Sequence, residues 1–222
     1  MNPKIKVFFQ ILLIGLYFII PLPGNSAEIK SDKNDPNLEL RDAVLENNAA
    51  KVRAIFADKN KANFIKINTR VPSTKYCPGI FLIIASGMGN AEIVDILLKH
   101  GANPLIRDEI TGRTALMCAV GCYEPNVNII RVLINKGADV NAKDKDGVTV
   151  LMSATGAFAE TCADPNVHPR LVAVKELLKH NVLINEKDKS GKTALDYAIM
   201  ASKGDVIALL RAKNAKTSAN IK

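Results

Sequence analysis

Four cysteines and three histidines are the side chains of this sequence best suited to hold a metal or run nucleophilic chemistry. Cys118 and Cys122 stand four apart, so on a continuing helix they would share a face, and His168 follows Cys162 by six residues. Protein-built zinc sites bring two close Cys pairs, or a Cys pair with a close His pair, because four donors must converge tetrahedrally. Neither set is present, which argues against a metal. His100 and His180 recur at one place, in LLKHGA and LLKHNV, where an apolar-periodic run ends. A histidine there meets the unpaired carbonyls of a helix's last turn, a packing role rather than a catalytic one. His168, beside Pro169, reads as solvated. No G-x-S-x-G word, no H-E-x-x-H and no glycine-rich phosphate loop occurs. The sequence therefore reads as a non-enzyme, with no catalytic residue, no cofactor and no small-molecule substrate. An exported enzyme assembled from scattered residues is the weakest alternative.

The N-terminus bears on which chemistry the thiols meet. Residues 1–27, MNPKIKVFFQILLIGLYFIIPLPGNSA, begin with Lys4 and Lys6, run apolar from 7 to 20, break at Pro21, Pro23 and Gly24, and close on Ser26 and Ala27. That order is the plan of a secretory signal peptide. The apolar run is shorter than the roughly 20 residues a spanning helix needs, although an uncleaved membrane anchor is the alternative. Export, periplasmic or secreted, is the expectation, with residues 28–37 as a linker. Membrane contact is expected only if the N-terminal helix is uncleaved. The formal charge of +8 invites a nucleic-acid reading, but the charges are interleaved, as in EKDKSGK, and there is no Trp. A nucleic-acid binder shows a basic stripe with a recognisable motif or an aromatic platform, so no nucleic-acid partner is expected.

What positions these residues is a repeat. NKGADVNAKDKDGVTVL (135–151) has counterparts in KHGANPLIRDEITGRTAL and KHNVLINEKDKSGKTAL. Thr114, Thr149 and Thr193 begin equivalent Thr-apolar-Leu steps, the first pair 35 residues apart and the second pair 44, so the later unit holds an insertion, TGAFAETCADPNVHPR. In each unit an Asp-x-x-Gly bend (Asp144 to Gly147, Asp188 to Gly191) makes a tight turn. Thr149 or Thr193 then caps a short helix. A second helix follows with spacing near 3.6, as in NIIRVLIN or LVAVKELLKH, and Gly101 or Gly137 stops it in the left-handed conformation. Neither helix can bury its apolar stripe alone, so neighbouring units must stack.

The words ASGMGNAEIVDILLKHGANP, TALMCA, INKGADVNAKDKDGVT and DKSGKTALDYA resemble the ankyrin repeat family. The resemblance runs over residues 38–215 and is most specific in the middle three units. The first unit, LELRDAVLENNAAKVRAIFADKN, shows only helix-turn-helix spacing. The family's Thr-Pro-Leu-His word appears here as IFLI, TALM, TVLM and TALD. The resemblance implies an all-α solenoid of about five stacked helix-turn-helix units with short β-turn tips, followed by a C-terminal tail at 216–222. It also implies protein–protein interaction without intrinsic activity, the partner's identity left open. A second reading, a membrane-tethered structural or spacer protein of the cell envelope, stands beside it.

Two thiols sit in matching words, CYEPNV and CADPNV, at the bend between the helices of adjacent units. In an exported chain this favours a disulfide between Cys122 and Cys162, which in the chain-entropy model stabilises by about 4 kcal/mol. Equivalent positions on stacked helices lie roughly 10 Å apart. A bridge tolerates a Cα separation of about 7 Å, so the insertion would have to fold back. Cys118 replaces an apolar residue and reads as a buried thiol, and Cys77, before Pro78, as a free one.

The tips vary on a fixed Asp and Gly frame, and variation on a fixed frame is where a repeat module changes specificity. The expected partner surface is therefore Glu109, Ile110, Arg113, Lys145, Asp146, Val148, Lys189 and Lys192, with Met88 and Met200 extending it along the first helices. Ile110, an apolar residue in a turn, is the expected anchor, unless it packs on a neighbouring tip.

Overall fold

The computed structural model describes residues 35–71, 79–121, 125–157 and 170–221. They form five helix pairs in chain order: α1 (Pro36–Leu45) with α2 (Ala49–Ala57), α4 (Phe81–Gly87) with α5 (Ala91–Lys99), α6 (Ala115–Gly121) with α7 (Val127–Asn135), α8 (Val150–Thr155) with α9 (Arg170–Leu177), and α10 (Ala194–Met200) with α11 (Gly204–Ala212). A single extra turn, α3 (Lys59–Ala62), follows the first pair. Among the described residues there is no strand. Isolated antiparallel bridges pair Val71 with Gly79, Arg107 with Thr114 and Lys143 with Thr149, the last two closing the turns at the tips.

The helices start where their caps are. Thr149 and Thr193 accept the backbone N–H groups of Met152 and Asp196 at 3.2 and 3.3 Å, and Thr114 accepts Met117 N–H at 3.3 Å. Ile80, in the same place, gives no side-chain cap. The first three second helices begin on asparagines instead: Asn48, Asn90 and Asn126 each accept an N–H of the first turn, whereas α11 follows Lys203 with no side-chain cap. One capped turn adds about 1 kcal/mol. The stack itself supplies more. Leu97, Leu116, Ile130, Leu133 and Leu151 are fully buried, and each such side chain contributes about 1.5–3 kcal/mol.

A ladder of asparagine side chains ties the loops that follow the second helices. Asn68 donates to Gly101 O at 3.0 Å and accepts Asn103 N–H at 2.7 Å. Asn141 does the same with Asn181 O and Leu183 N–H, both at 2.8 Å. Asn185 repeats it with Asn214 O at 3.3 Å and Lys216 N–H at 2.7 Å. Leu105 holds the matching place between the second and third units, and it makes no such clamp. There the Arg107 guanidinium reaches across to Lys143 O.

The last rung moves the expected boundaries. Residues 214–221 are the loop of the fifth unit rather than a tail beyond it: Thr193 Oγ1 donates to Lys216 O and Asp196 Oδ2 accepts Ser218 N–H, both at 2.9 Å. At the other end Asp35 caps α1 and Asn37 lies inside it, so the last residues of the expected linker belong to the fold. Among the described residues no helix is long and apolar enough to cross a membrane. The segment read as a signal lies outside them.

Candidate partner-binding surface

Each tip is built around one aspartate. Asp108 Oδ1 accepts the N–H groups of Ile110 and Thr111 and the Thr111 hydroxyl, at 2.8–3.1 Å. Asp144 Oδ1 accepts Asp146 and Val148 N–H, both at 2.9 Å. Asp188 Oδ1 accepts Ser190 and Lys192 N–H at 2.9 Å and the Ser190 hydroxyl at 2.8 Å. The second oxygen of each carboxylate faces a different group: Arg70 Nη1 on Asp108 at 3.0 Å, Arg113 Nε near Asp144 at 4.0 Å, and the Tyr197 hydroxyl on Asp188. Burial alone would raise the carboxyls of Asp108 and Asp188, but these donors outweigh it and hold both below the ordinary value. Burial and the neighbouring Asp188 push the Tyr197 hydroxyl up to about 12.

The tips are also joined to one another. Lys145 N–H donates to Thr111 O and Lys189 N–H to Asp146 O, both at 2.9 Å. Gly112 and Gly147 sit at φ +75° and +80°, and a Cβ on either would lie 2.9 or 3.1 Å from the backbone nitrogen of the next tip. Close approach and positive φ both demand glycine there. The outcome is a rigid row of backbone whose outward side chains can change freely.

On that row Ile110 is 63% exposed. Glu109, Lys145, Asp146 and Lys189 are exposed, and Arg113 and Lys192 are half-buried. Lys145 folds back to donate to Glu109 O, and the Lys192 ammonium lies 5.9 Å over the Tyr197 ring. Val148 is the correction: it is only 7% exposed and belongs to the core, because the residue after the tip glycine turns under the hairpin. Met88 also packs against the core and adds little surface. Met200 is 65% exposed, at the far end of α10 from the tip of the fifth unit.

Between the last three tips lies an open concavity of about 460 Å³ lined by Arg113, Asp144, Asp146, Ala157, Asp188 and Tyr197, among others. Tyr197 and Ser190 on its wall are absent from the expected set. The signal was the TALDYA word, which sets Tyr197 where Cys118 and Ser153 stand in the preceding units. Cys122 and Cys162, and with them the expected disulfide, lie outside the described residues, as do Cys77 and His168. Cys118 is half-buried rather than fully buried. Among the described residues no group of three or more His, Cys, Asp or Glu could hold a metal ion.

Comparison with known proteins fits the geometry. Residues 40–144 and 81–164 match the family model for ankyrin repeats (3 copies). Over 64 residues, 29% of this chain, the sequence is 38% identical to Ankyrin repeat and SOCS box protein 6 of Homo sapiens, of which the match covers 15%. Over 128 residues, 57% of this chain, it is 28% identical to Ankyrin repeat and SAM domain-containing protein 6 of Rattus norvegicus, covering 13% of that protein. A 71-residue stretch, 32% of this chain, is 35% identical to Potassium channel AKT1 of Arabidopsis thaliana and covers 8% of it. The matches thus span only a small part of each of these relatives.

Proposed function

The chain belongs to the ankyrin-repeat family, and from that premise we propose that it is an exported protein–protein interaction module that grips a protein partner by its turn tips and first helices. Ankyrin repeats are protein–protein interaction modules, and this one is read as having no catalytic activity of its own. The observation that carries the reading is Ile110: an apolar side chain left 63% exposed on a backbone that Asp108 locks through three hydrogen bonds. A rigid exposed anchor loses little entropy on binding, and a central apolar residue ringed by charge is how interface hot spots are built. Glu109 and Lys145, which donates to Glu109 O, stand at the same tip contact, and Asp146 and Lys189 continue the charged surface along the next two tips.

Export rests on the order of charged, apolar and small residues in 1–27. The mature protein is then expected to begin near Ala27 or Glu28, which mass spectrometry of the protein from its own compartment reads directly.

The test of the binding surface is a comparison of captured partners. Ile110→Asp should weaken capture by at least ~tenfold, since hot-spot truncations cost upward of about 2 kcal/mol. The melting temperature should stay within about a degree, because an exposed side chain contributes little to stability. Capture that survives this change and is lost on deleting residues 157–168 would move the binding site to the insertion.

A further inference from the structure

The positive charge of this chain is unevenly placed. Residues 170–222 hold eleven Lys and Arg against five Asp and Glu, a net of +6 out of the formal +8 of the whole chain. Four of the five acids in this segment are engaged by neighbouring groups, and Asp205 is exposed. Glu176 takes Arg131 at 2.9 Å and Lys179 at 2.7 Å, and Glu186 takes Lys143 of the preceding loop at 2.5 Å. Asp188 is buried in its tip, and Asp196 holds Thr193 and Ser218. Asp205, the fifth, accepts the N–H of Val206 at 2.8 Å.

The cations face outward. Lys187, Arg211, Lys213 and Lys216 are all exposed, and none of them joins the ion pairs of the terminal units. The loop of the fifth unit gathers them. Asn185 clamps Asn214 and Lys216, and Lys187 Nζ donates to Ile221 O at 3.1 Å, which brings the two loops and their lysines side by side. At the opposite end of α11 the same terminal unit leaves Ile199 40% and Met200 65% exposed. The terminal unit thus carries exposed cations at one end of α11 and a solvent-facing apolar pair at the other, the two components that rest at a charged lipid boundary. A nucleic acid would need a stacking platform, and Tyr197, the aromatic residue of this unit, spends its hydroxyl on Asp188 and its ring under Lys192.

We propose that the outer face of the fifth unit docks on an anionic bilayer surface. Lys187, Arg211, Lys213 and Lys216 would meet the acidic headgroups, and Ile199 and Met200 would enter the headgroup boundary. Apart from Met200, this surface shares no residue with the expected partner surface, and its test turns on the cations alone, so it stands or falls apart from partner capture. Each basic side chain held against an acidic leaflet contributes about fivefold in binding, and the effect fades within a Debye length.

The experiment sediments the full chain with phosphatidylcholine vesicles, with and without phosphatidylglycerol. The apolar N-terminal segment and its Lys4 and Lys6 add the same gain to every variant, so the informative quantity is the change in that gain between variants. Phosphatidylglycerol should raise binding at least ~tenfold, and high salt should remove the gain. Arg211→Glu/Lys213→Glu/Lys216→Glu should abolish the terminal unit's share of the gain, and the milder Lys187→Gln/Lys213→Gln should cut it by about tenfold or more. Lys51→Glu/Lys99→Glu/Lys136→Glu, the same charge change on the first three units, should leave most of it. Equal binding to both vesicles, persistence in both terminal variants, or equal loss in the first-three-unit variant would overturn the proposal. So would binding to polyglutamate or polyuridylate at the same face with none to the vesicles.

Discussion

Two tips with nearly the same backbone sit in different surroundings. Gly147 and Gly191 have φ of +80° and +82°, and each follows an Asp-caged turn. Against Gly147 lies the backbone of the next tip, with a Cβ position 3.1 Å from Lys189 N, whereas nothing lies within 4 Å of the same point at Gly191. The local turn is thus specified by its own aspartate, and the array only adds a second demand where another unit follows. In a quasi-one-dimensional stack, stability divides into such intrinsic and interface parts.

Alanine at both glycines separates the two parts. Gly147→Ala incurs the left-handed penalty of about 1–2 kcal/mol and must also shift the next tip, for a total of about 2–3 kcal/mol in urea unfolding. Gly191→Ala should cost about 1–2 kcal/mol, the backbone penalty alone. Equal losses would mean that the tips do not support one another. The terminal unit can be probed from its loop. Deleting residues 216–222 removes the hydrogen bonds to Asn185, Thr193 and Asp196 and should lower stability by about 1–3 kcal/mol. A melting curve unchanged by that deletion would restore the reading of these residues as a free tail.

The smallest effect is the one that pH reveals. Arg131, and then Lys179, hold the carboxyl of Glu176 down from 4.5 to about 2 against the cost of its burial. A carboxyl lowered in the folded state stabilises fully above its unfolded value and loses that contribution as pH falls through the folded one. The window is therefore from about 4.5 down to about 2. With Arg131 half exposed to solvent, the contribution at neutral pH is about 1 kcal/mol. Glu176→Gln should lower stability by that amount at pH 7 and flatten the decline below pH about 4.5. An acid limb that keeps its slope in the variant would assign the decline to other carboxylates.

How much was legible in the sequence depended on whether the signal was local. Thr149 and Thr193 before apolar steps gave the first helices, Gly137 gave the left-handed stop at φ +92°, and Asp144 gave the tip. Each depends on neighbours within a few positions, so the words carry the physics. Val148 was read as surface because it follows a turn, but its burial is set by the helices beneath the hairpin. The place of residues 214–221 was hidden for the same reason: Asn185 and Asp196 hold them from some 20 to 30 residues away. The usual stop is not there to mark them, since Asn214 stands where the second and third units have Gly101 and Gly137.

The missing rung at Leu105 changes how the second seam is held. On one side the first helices are in close contact, for a Cβ on Gly87 of α4 would rest 3.7 Å from the Cβ of Cys118 of α6. On the loop side the two-point asparagine clamp is replaced by the Arg107 side chain on Lys143 O. The tips beyond it still bind across the seam, Lys145 N–H on Thr111 O at 2.9 Å, so backbone contact takes over where the asparagine is absent. One rung can therefore be lost from the array without parting the units it joined.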